Sequence, residues 1–176
     1  MPHPLDAFKY CPKCGSDKFG IKSPIAKKCG NCGFEFYKNP AIGAGPIIVD
    51  EKGRLLTIRR AKEPGKNMLG LPGGFVDIKE TIEEALIRET KEEINVDIEV
   101  EKYLFSIPNS YLYQSVNSYP LDFFFKCGIK DMSRMKIDIN EVLEVIFIEK
   151  DKINPDDFGL PSNKTAIKKL LDENLI

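Results

Sequence analysis

Between Gly74 and Val96 the chain sets a turn, a helix and a cluster of negative charge at fixed spacings. Gly74 is followed by five residues and Glu80, then by seven residues and the pair Arg88-Glu89, with Glu92-Glu93 beginning three positions after Glu89. Ile82, Ala85, Leu86 and Ile94 recur at helical spacing, which predicts a helix over 81–94 with one apolar face. Residues three and four apart share a helix face, so Glu89, Glu92 and Glu93 bring their carboxylates together roughly opposite that apolar face. Like charges so placed repel one another unless a cation neutralises them. Hard divalent cations choose carboxylate oxygens and commonly bridge them to substrate phosphates. Arg88, one position before Glu89 and four before Glu92, can brace either carboxylate. The competing reading is a solvated acidic helix, which is what a run of charge normally is.

The run resembles the Nudix box, Gly-x5-Glu-x7-Arg-Glu-aliphatic-x-Glu-Glu-x-Gly-aliphatic, the signature of hydrolases that cut nucleoside diphosphates linked to another moiety. Gly74, Glu80, Arg88, Glu89, Glu92, Glu93 and Val96 fit it, while Thr90 replaces an aliphatic residue and Asn95 replaces Gly. Asn is the non-glycine residue most tolerant of positive φ, so Asn95 is expected to stop the helix. Thr90 is expected to weaken the packing under it. The preceding Leu71-Pro72-Gly73-Gly74-Phe75 looks like the loop that leads into the box, where a glycine carbonyl commonly joins the metal shell. The resemblance therefore implies a Mg²⁺ (or Mn²⁺) site of Glu89, Glu92, Glu93 and Gly73, with Glu80 as a supporting carboxylate of secondary metal role. It makes Arg88 the orienting partner and Glu92 and Glu93 the catalytic centre. Asn140-Glu141-Val142 resembles the family segment before a late strand, where Glu141 matches a position for metal binding or base function. A plain surface glutamate is the alternative for Glu141, and Glu144 is the lesser candidate. The fold implied is α/β: a Nudix-type α/β/α sandwich with a mixed sheet.

The N-terminal part carries a second signature. Cys11-Pro-Lys-Cys14 and Cys29-Gly-Asn-Cys32 are CxxC pairs separated by fourteen residues, each followed by a glycine, Gly15 or Gly33, that permits a tight bend. Two such turns complete a tetrahedral set of four thiolates for structural Zn²⁺, with no coordination position left for catalysis. Disulfides and redox CxxC pairs are the alternatives. The segment between the pairs is too short and polar to bury a core unaided, so the metal is expected to fold it. This small zinc ribbon is expected to occupy residues 1–39 and the hydrolase domain residues 40–176, with the boundary at Asn39-Pro40.

Elsewhere the sequence predicts ordinary mixed structure. Apolar segments 41–49 and 54–59, joined by Asp50-Glu51-Lys52-Gly53, read as a hairpin. Residues 98–106, 119–129 and 142–149 read as strands and 164–174 as a closing helix. Net charge is −1, hydrophobic content 42% and charged content 30%, so no global attraction to nucleic acid or membrane is indicated. The absence of an N-terminal apolar stretch predicts a cytoplasmic protein. Cys127 lies in an apolar run and reads as a core thiol. The only histidine, His3, lies among prolines, which leaves a carboxylate as the expected base.

A zinc ribbon ahead of the box is similar to the NADH pyrophosphatase branch of the family, which implies NADH or NAD⁺ as substrate and a homodimer. That branch carries Ser-Gln-Pro-Trp after the box, whereas this chain reads Ser106-Ile107-Pro108-Asn109 and has no Trp. ADP-ribose, FAD and other dinucleotides therefore stay open. Tyr111, Tyr113 and Tyr119 can stack on a base or pack within strands. Arg59 and Arg60 can reach phosphate or remain a solvated pair. Two non-enzymatic readings stand beside the enzyme. One is a nucleotide sensor on the same fold. The other is an RNA-binding or decapping role for the ribbon, where Lys9, Lys13, Lys18, Lys22, Lys27 and Lys28 outnumber the acids.

Overall fold

The computed structural model describes all residues except 1, 2, 114 and 115 and the side chain of Tyr113. The chain divides into two compact units, Met1–Pro40 with Leu112–Ser118, and Ala41–Tyr111 with Tyr119–Ile176. No helix among the described residues is long and apolar enough to cross a membrane.

The first unit is a three-stranded antiparallel sheet, β1 (Phe19–Ser23), β2 (Ala26–Cys29) and β3 (Glu35–Tyr37), in sequential order. Among the described residues its buried apolar side chains are Leu5, Cys11, Phe19, Ala26 and Cys29, and Phe34 and Phe36 pack against the cluster of Cys11, Phe19 and Cys29. That is too little apolar surface to order such a segment alone.

The second unit is built on two sheets. One holds β4 (Ile42–Ile48), β7 (Gly74–Phe75), β8 (Asp97–Pro108) and β11 (Leu121–Asp131) in the order β7-β4-β11-β8. The other holds β5 (Arg54–Arg60), β6 (Leu69–Gly70) and β12 (Val142–Glu149) in the order β12-β5-β6. β4 and β11 run parallel and the other pairs antiparallel, so the sheet structure is mixed. β9 (Tyr111–Tyr113) pairs with β10 (Val116–Ser118). Helix α1 covers Ile82–Ile94 and α2 covers Pro161–Asp172.

Alternation along the strands explains the layering. Ala44 and Ile48 of β4, Leu56 and Ile58 of β5, and Phe125 and Cys127 of β11 join a cluster with Ala85, Leu86 and Ile94 of α1. Their neighbours Ile47, Leu55 and Phe124 face the other way, into a cluster with Ala166, Ile167 and Leu170 of α2. Successive side chains point to opposite faces, so strands apolar on both sides must be covered twice. One helix on each face is the α/β/α arrangement that the family resemblance implied. Cys127 is a core thiol, and burial pushes its pKa up to about 12.

The hairpin expected over 41–59 is corrected. The turn exists, with Gly53 at φ 74° and Asp50 accepting from the Arg54 backbone and guanidinium. The flanking strands, however, meet only at the bridge Val49–Leu55. Both sides of β4 are taken, by β11 and β7, so β5 is left to pair with β12 and β6.

Candidate functional site

Local sequence sets both ends of α1. Thr81 Oγ1 accepts the Glu84 N–H at 3.2 Å while the Glu84 carboxylate accepts the Thr81 N–H at 2.8 Å, a reciprocal cap. At the other end Asn95 adopts the left-handed conformation, φ 52°, and its side-chain amide donates to the Arg134 carbonyl at 2.6 Å. Thr90 is buried, and its hydroxyl donates to the Leu86 carbonyl at 2.7 Å, so the polar atom that replaces an aliphatic side chain is satisfied within the helix.

The helix delivers its carboxylates to one loop. Arg88 places every N–H it has: Nε on Glu80 at 2.7 Å, Nη1 on Glu89 at 2.7 Å and Glu92 at 3.1 Å, and Nη2 on Glu80 at 2.9 Å and the Phe75 carbonyl at 3.0 Å. Glu80 thus has both oxygens on Arg88. First that guanidinium, then the Asp77 N–H, hold its carboxyl down at about 2. Glu89 is four-fifths buried and Glu93 is 8% exposed, whereas Glu92 is 62% exposed at the rim. Glu93 Oε2 accepts the Gly73 N–H at 2.9 Å, and its other oxygen accepts nothing among the described residues. Burial first, then the Glu89 and Glu141 charges, push the Glu93 carboxyl up to about 8, against the pull of the Gly73 amide and Arg60. Burial likewise raises Glu89.

Two glycines make this approach possible. Gly73 sits at φ 117°, and a Cβ there would lie 2.1 Å from the Ala44 carbonyl oxygen. A Cβ on Gly74 would lie 2.5 Å from the Glu89 carboxylate. Gly74→Ala therefore displaces the Glu89 carboxylate, and we expect divalent-cation affinity to fall about 10- to 100-fold with the fold retained. Calorimetric titration with Mn²⁺, beside thermal melts, checks this.

The remaining sequence candidates separate. Glu141 lies in the turn before β12, close enough to Glu93 to raise its pKa, and pairs with Lys62. Adjacent residues of β5 face opposite ways. Arg60 donates to the Pro64 carbonyl at 2.8 Å and lines a cavity of about 140 Å³ beside the box. Arg59 instead contacts Glu144 at 3.2 Å and the Asn67 carbonyl at 3.1 Å, outside that cavity. Tyr111 lines the cavity with Gly73 and Gly74, and the side chain of Tyr113 lies outside the described residues.

Sequence reading missed three polar residues of this cavity, Asn109, Asp122 and Asn163, together with Ser162, which bonds Asp122. Asp122 Oδ2 accepts from Ser162 Oγ at 2.5 Å and from Asn109 Nδ2 at 2.8 Å, and Asn163 accepts the Leu71 N–H at 3.2 Å. The available signal was Asp122 itself, a carboxylate inside the apolar run Leu121-Asp-Phe-Phe-Phe.

In the first unit the four cysteines converge, with all ligand atoms within 4.8 Å of one another. Cys11–Cys32 and Cys14–Cys29 sulfur distances are 3.8 and 3.7 Å, far beyond a disulfide, and all four thiols are free. Bonds of about 2.3 Å in a tetrahedron put sulfurs about 3.8 Å apart, so the spacing matches a Zn²⁺ shell. Gly15 and Gly33, at φ 72° and 74°, donate to the Cys11 and Cys29 carbonyls and close the two turns. The Cys32 N–H is the first cause drawing the Cys29 thiol down to about 6. Of the ribbon lysines, Lys22 and Lys28 pair with Glu35, and Lys27 is buried with its Nζ on the Phe8 carbonyl at 2.8 Å. Lys9, Lys13 and Lys18 remain exposed.

A family model described as NUDIX domain matches residues 39–168. The chain is 24% identical over 176 residues to the NAD-capped RNA hydrolase NudC of Haemophilus influenzae (strain PittGG), covering 98% of this chain and 62% of that protein. It is 39% identical over 80 residues to an ADP-ribose pyrophosphatase of Methanocaldococcus jannaschii, covering 46% of this chain and 47% of that one. It thus spans less than two thirds of these relatives' length. A NUDIX hydrolase crystal structure from Nitrosomonas europaea shares the fold, with a TM-score of 0.74 at 24% identity, covering 95% of this chain and 92% of that one.

Proposed function

Because the chain belongs to the NUDIX domain family, we propose that it hydrolyses the diphosphate linkage of a nucleoside diphosphate joined to another moiety, with a divalent cation held on α1. One observation carries this: Glu93 is a buried carboxylate with a single hydrogen bond among the described residues, beside the four-fifths buried Glu89. Keeping both carboxylates ionised at such depth is costly unless a cation neutralises them. The donors are all hard oxygens, which fits Mg²⁺ or Mn²⁺.

Glu89, Glu93 and the rim residue Glu92 would hold the cation, with the Gly73 carbonyl and Glu141 as further donors. When bound, it supplies charge to neutralise the diphosphate and acidifies water. Glu80 fixes Arg88, and Arg88 in turn fixes the directions of Glu89 and Glu92. Gly73 N–H orients Glu93. Arg60 both attracts Glu93 and lines the cavity, which supports a role for it in meeting a substrate phosphate. Glu141 is the candidate to accept the proton of the attacking water. The four cysteines would hold Zn²⁺ with a closed shell, so its role is to order the ribbon.

The names of the relatives support NAD-type and ADP-ribose-type substrates, and the missing Ser-Gln-Pro-Trp run argues against narrowing the choice to NADH. Homodimerisation and a cytoplasmic location remain part of this reading. The test is chromatographic release of AMP from NADH, NAD⁺, ADP-ribose and FAD with and without Mg²⁺. Mg²⁺-dependent AMP from at least one of them supports the proposal. Silence across the set would favour a nucleotide sensor.

A further inference from the structure

We infer that the cavity beside the box is a nucleobase pocket in which Asp122 selects a base carrying an exocyclic amino group, adenine above all. This rests on the diphosphate-hydrolase reading and adds which nucleoside occupies the site.

Two close approaches between strands shape one side of the pocket. Asp122 and Phe124 of β11 lie in register with Gly43 and Gly45 of β4. A Cβ on Gly43 would lie 2.3 Å from Asp122 Oδ1, and one on Gly45 would lie 2.9 Å from the Phe124 ring. These glycines let the β11 side chains lie down over β4 beside the cavity. At about 140 Å³ the space has room for a nucleobase.

Its polar groups define a hydrogen-bond pattern. Asp122 Oδ2 is already occupied by Ser162 and Asn109, both fully or almost fully buried, while Oδ1 accepts nothing among the described residues. Asn163 is 6% exposed; its oxygen takes the Leu71 N–H, which fixes the amide so that its nitrogen remains a donor without a partner among the described residues. No enclosed side-chain nitrogen or oxygen among the described residues lacks a partner, so both free atoms reach open space. Both residues line the cavity. One acceptor and one donor match an amino group beside a ring nitrogen, the pattern of adenine. Hypoxanthine and uracil put a carbonyl where the amino group belongs, facing the lone pairs of Asp122. The two adjacent donors of guanine call for both carboxylate oxygens, and one is taken. Cytosine offers an amino group but fills less of the space.

The test keeps the diphosphate constant and changes the base. Rates for ADP-ribose and its hypoxanthine, guanine, cytosine and uracil analogues are compared in the native protein and Asp122→Asn, with calorimetric binding of AMP and IMP beside them. We expect adenine to lead hypoxanthine by about 10- to 100-fold in kcat/KM. In Asp122→Asn, whose amide can donate to a carbonyl, that ratio should collapse or reverse. Continued turnover of the hypoxanthine compound shows that the variant folds. If it turns over neither compound, the AMP/IMP affinity ratio decides in its place. A ratio unchanged by Asp122→Asn, or native turnover indifferent to the base, overturns the inference. Selective AMP binding without hydrolysis of any compound would retain it and instead sink the hydrolase reading.

Discussion

Glu93→Gln is expected to abolish Mg²⁺-dependent turnover, by on the order of a thousandfold, while making the metal-free protein more stable at alkaline pH. The two effects have one source. Glu93 is 8% exposed, and its carboxyl is pushed up to about 8. Its folded-state pKa is therefore above the unfolded value near 4.5. Stability from this group is fully present below about pH 4.5 and is lost as pH rises through about 8. Without metal, the native melting temperature should fall between pH 5 and pH 8.5, an effect of about a few kcal/mol at roughly 1.4 kcal/mol per pKa unit. Glutamine can keep the bond from Gly73 N–H and removes the Glu93 charge, so its curve should fall less than the native one. Mg²⁺ should raise the native curve at pH 8.5 and leave that of the variant unchanged. Thermal melts across pH, with and without Mg²⁺, check this. A variant that is both inactive and less stable would mean Glu93 is simply a packing residue.

Removing the thiolate-bound metal should unfold the first unit and spare the second. Among its described residues only Leu5, Cys11, Phe19, Ala26 and Cys29 are buried apolar side chains, two of them cysteines, so the cysteines supply order that so little apolar burial cannot. Structural zinc contributes on the order of 10 kcal/mol in sites of this kind. After extraction with a strong chelator, or in Cys29→Ser, amide exchange over 19–37 should become fast. The strands β4, β11 and β12 should keep their protection, because their core contains none of the four cysteines. Protection of 19–37 that survives complete loss of zinc would refute a metal-dependent ribbon.

What sequence made legible was mostly local. The helix under the glutamates follows from spacing and its stop from Asn95, and each depends on groups within a turn of one another; the cap of Thr81 and Glu84 is added by the structure. The last strand, Val142–Glu149, is expected at its observed bounds because it is enriched in β-branched and aromatic residues. Pairing was harder. β4 finds its partner in β11, where Ile42 lies opposite Leu121, and no local pattern encodes so distant a register. The sequence reading starts the closing helix at 164, after Ser162 and Asn163. They form its first turn instead, and their side chains bond Asp122 and Leu71 N–H. Arg59 and Arg60 were indistinguishable in sequence; strand alternation sends only Arg60 to the cavity.

The central claim is that the α1 carboxylates hold the cation on which diphosphate cleavage depends. The most direct test titrates Mn²⁺ into the native protein and Glu93→Gln, following bound Mn²⁺ by electron paramagnetic resonance and AMP release from ADP-ribose in the same samples. Occupancy and rate should rise together in the native protein and be absent together in the variant. AMP release that persists in Glu93→Gln, or in the native protein after all divalent cation is chelated, would contradict the account.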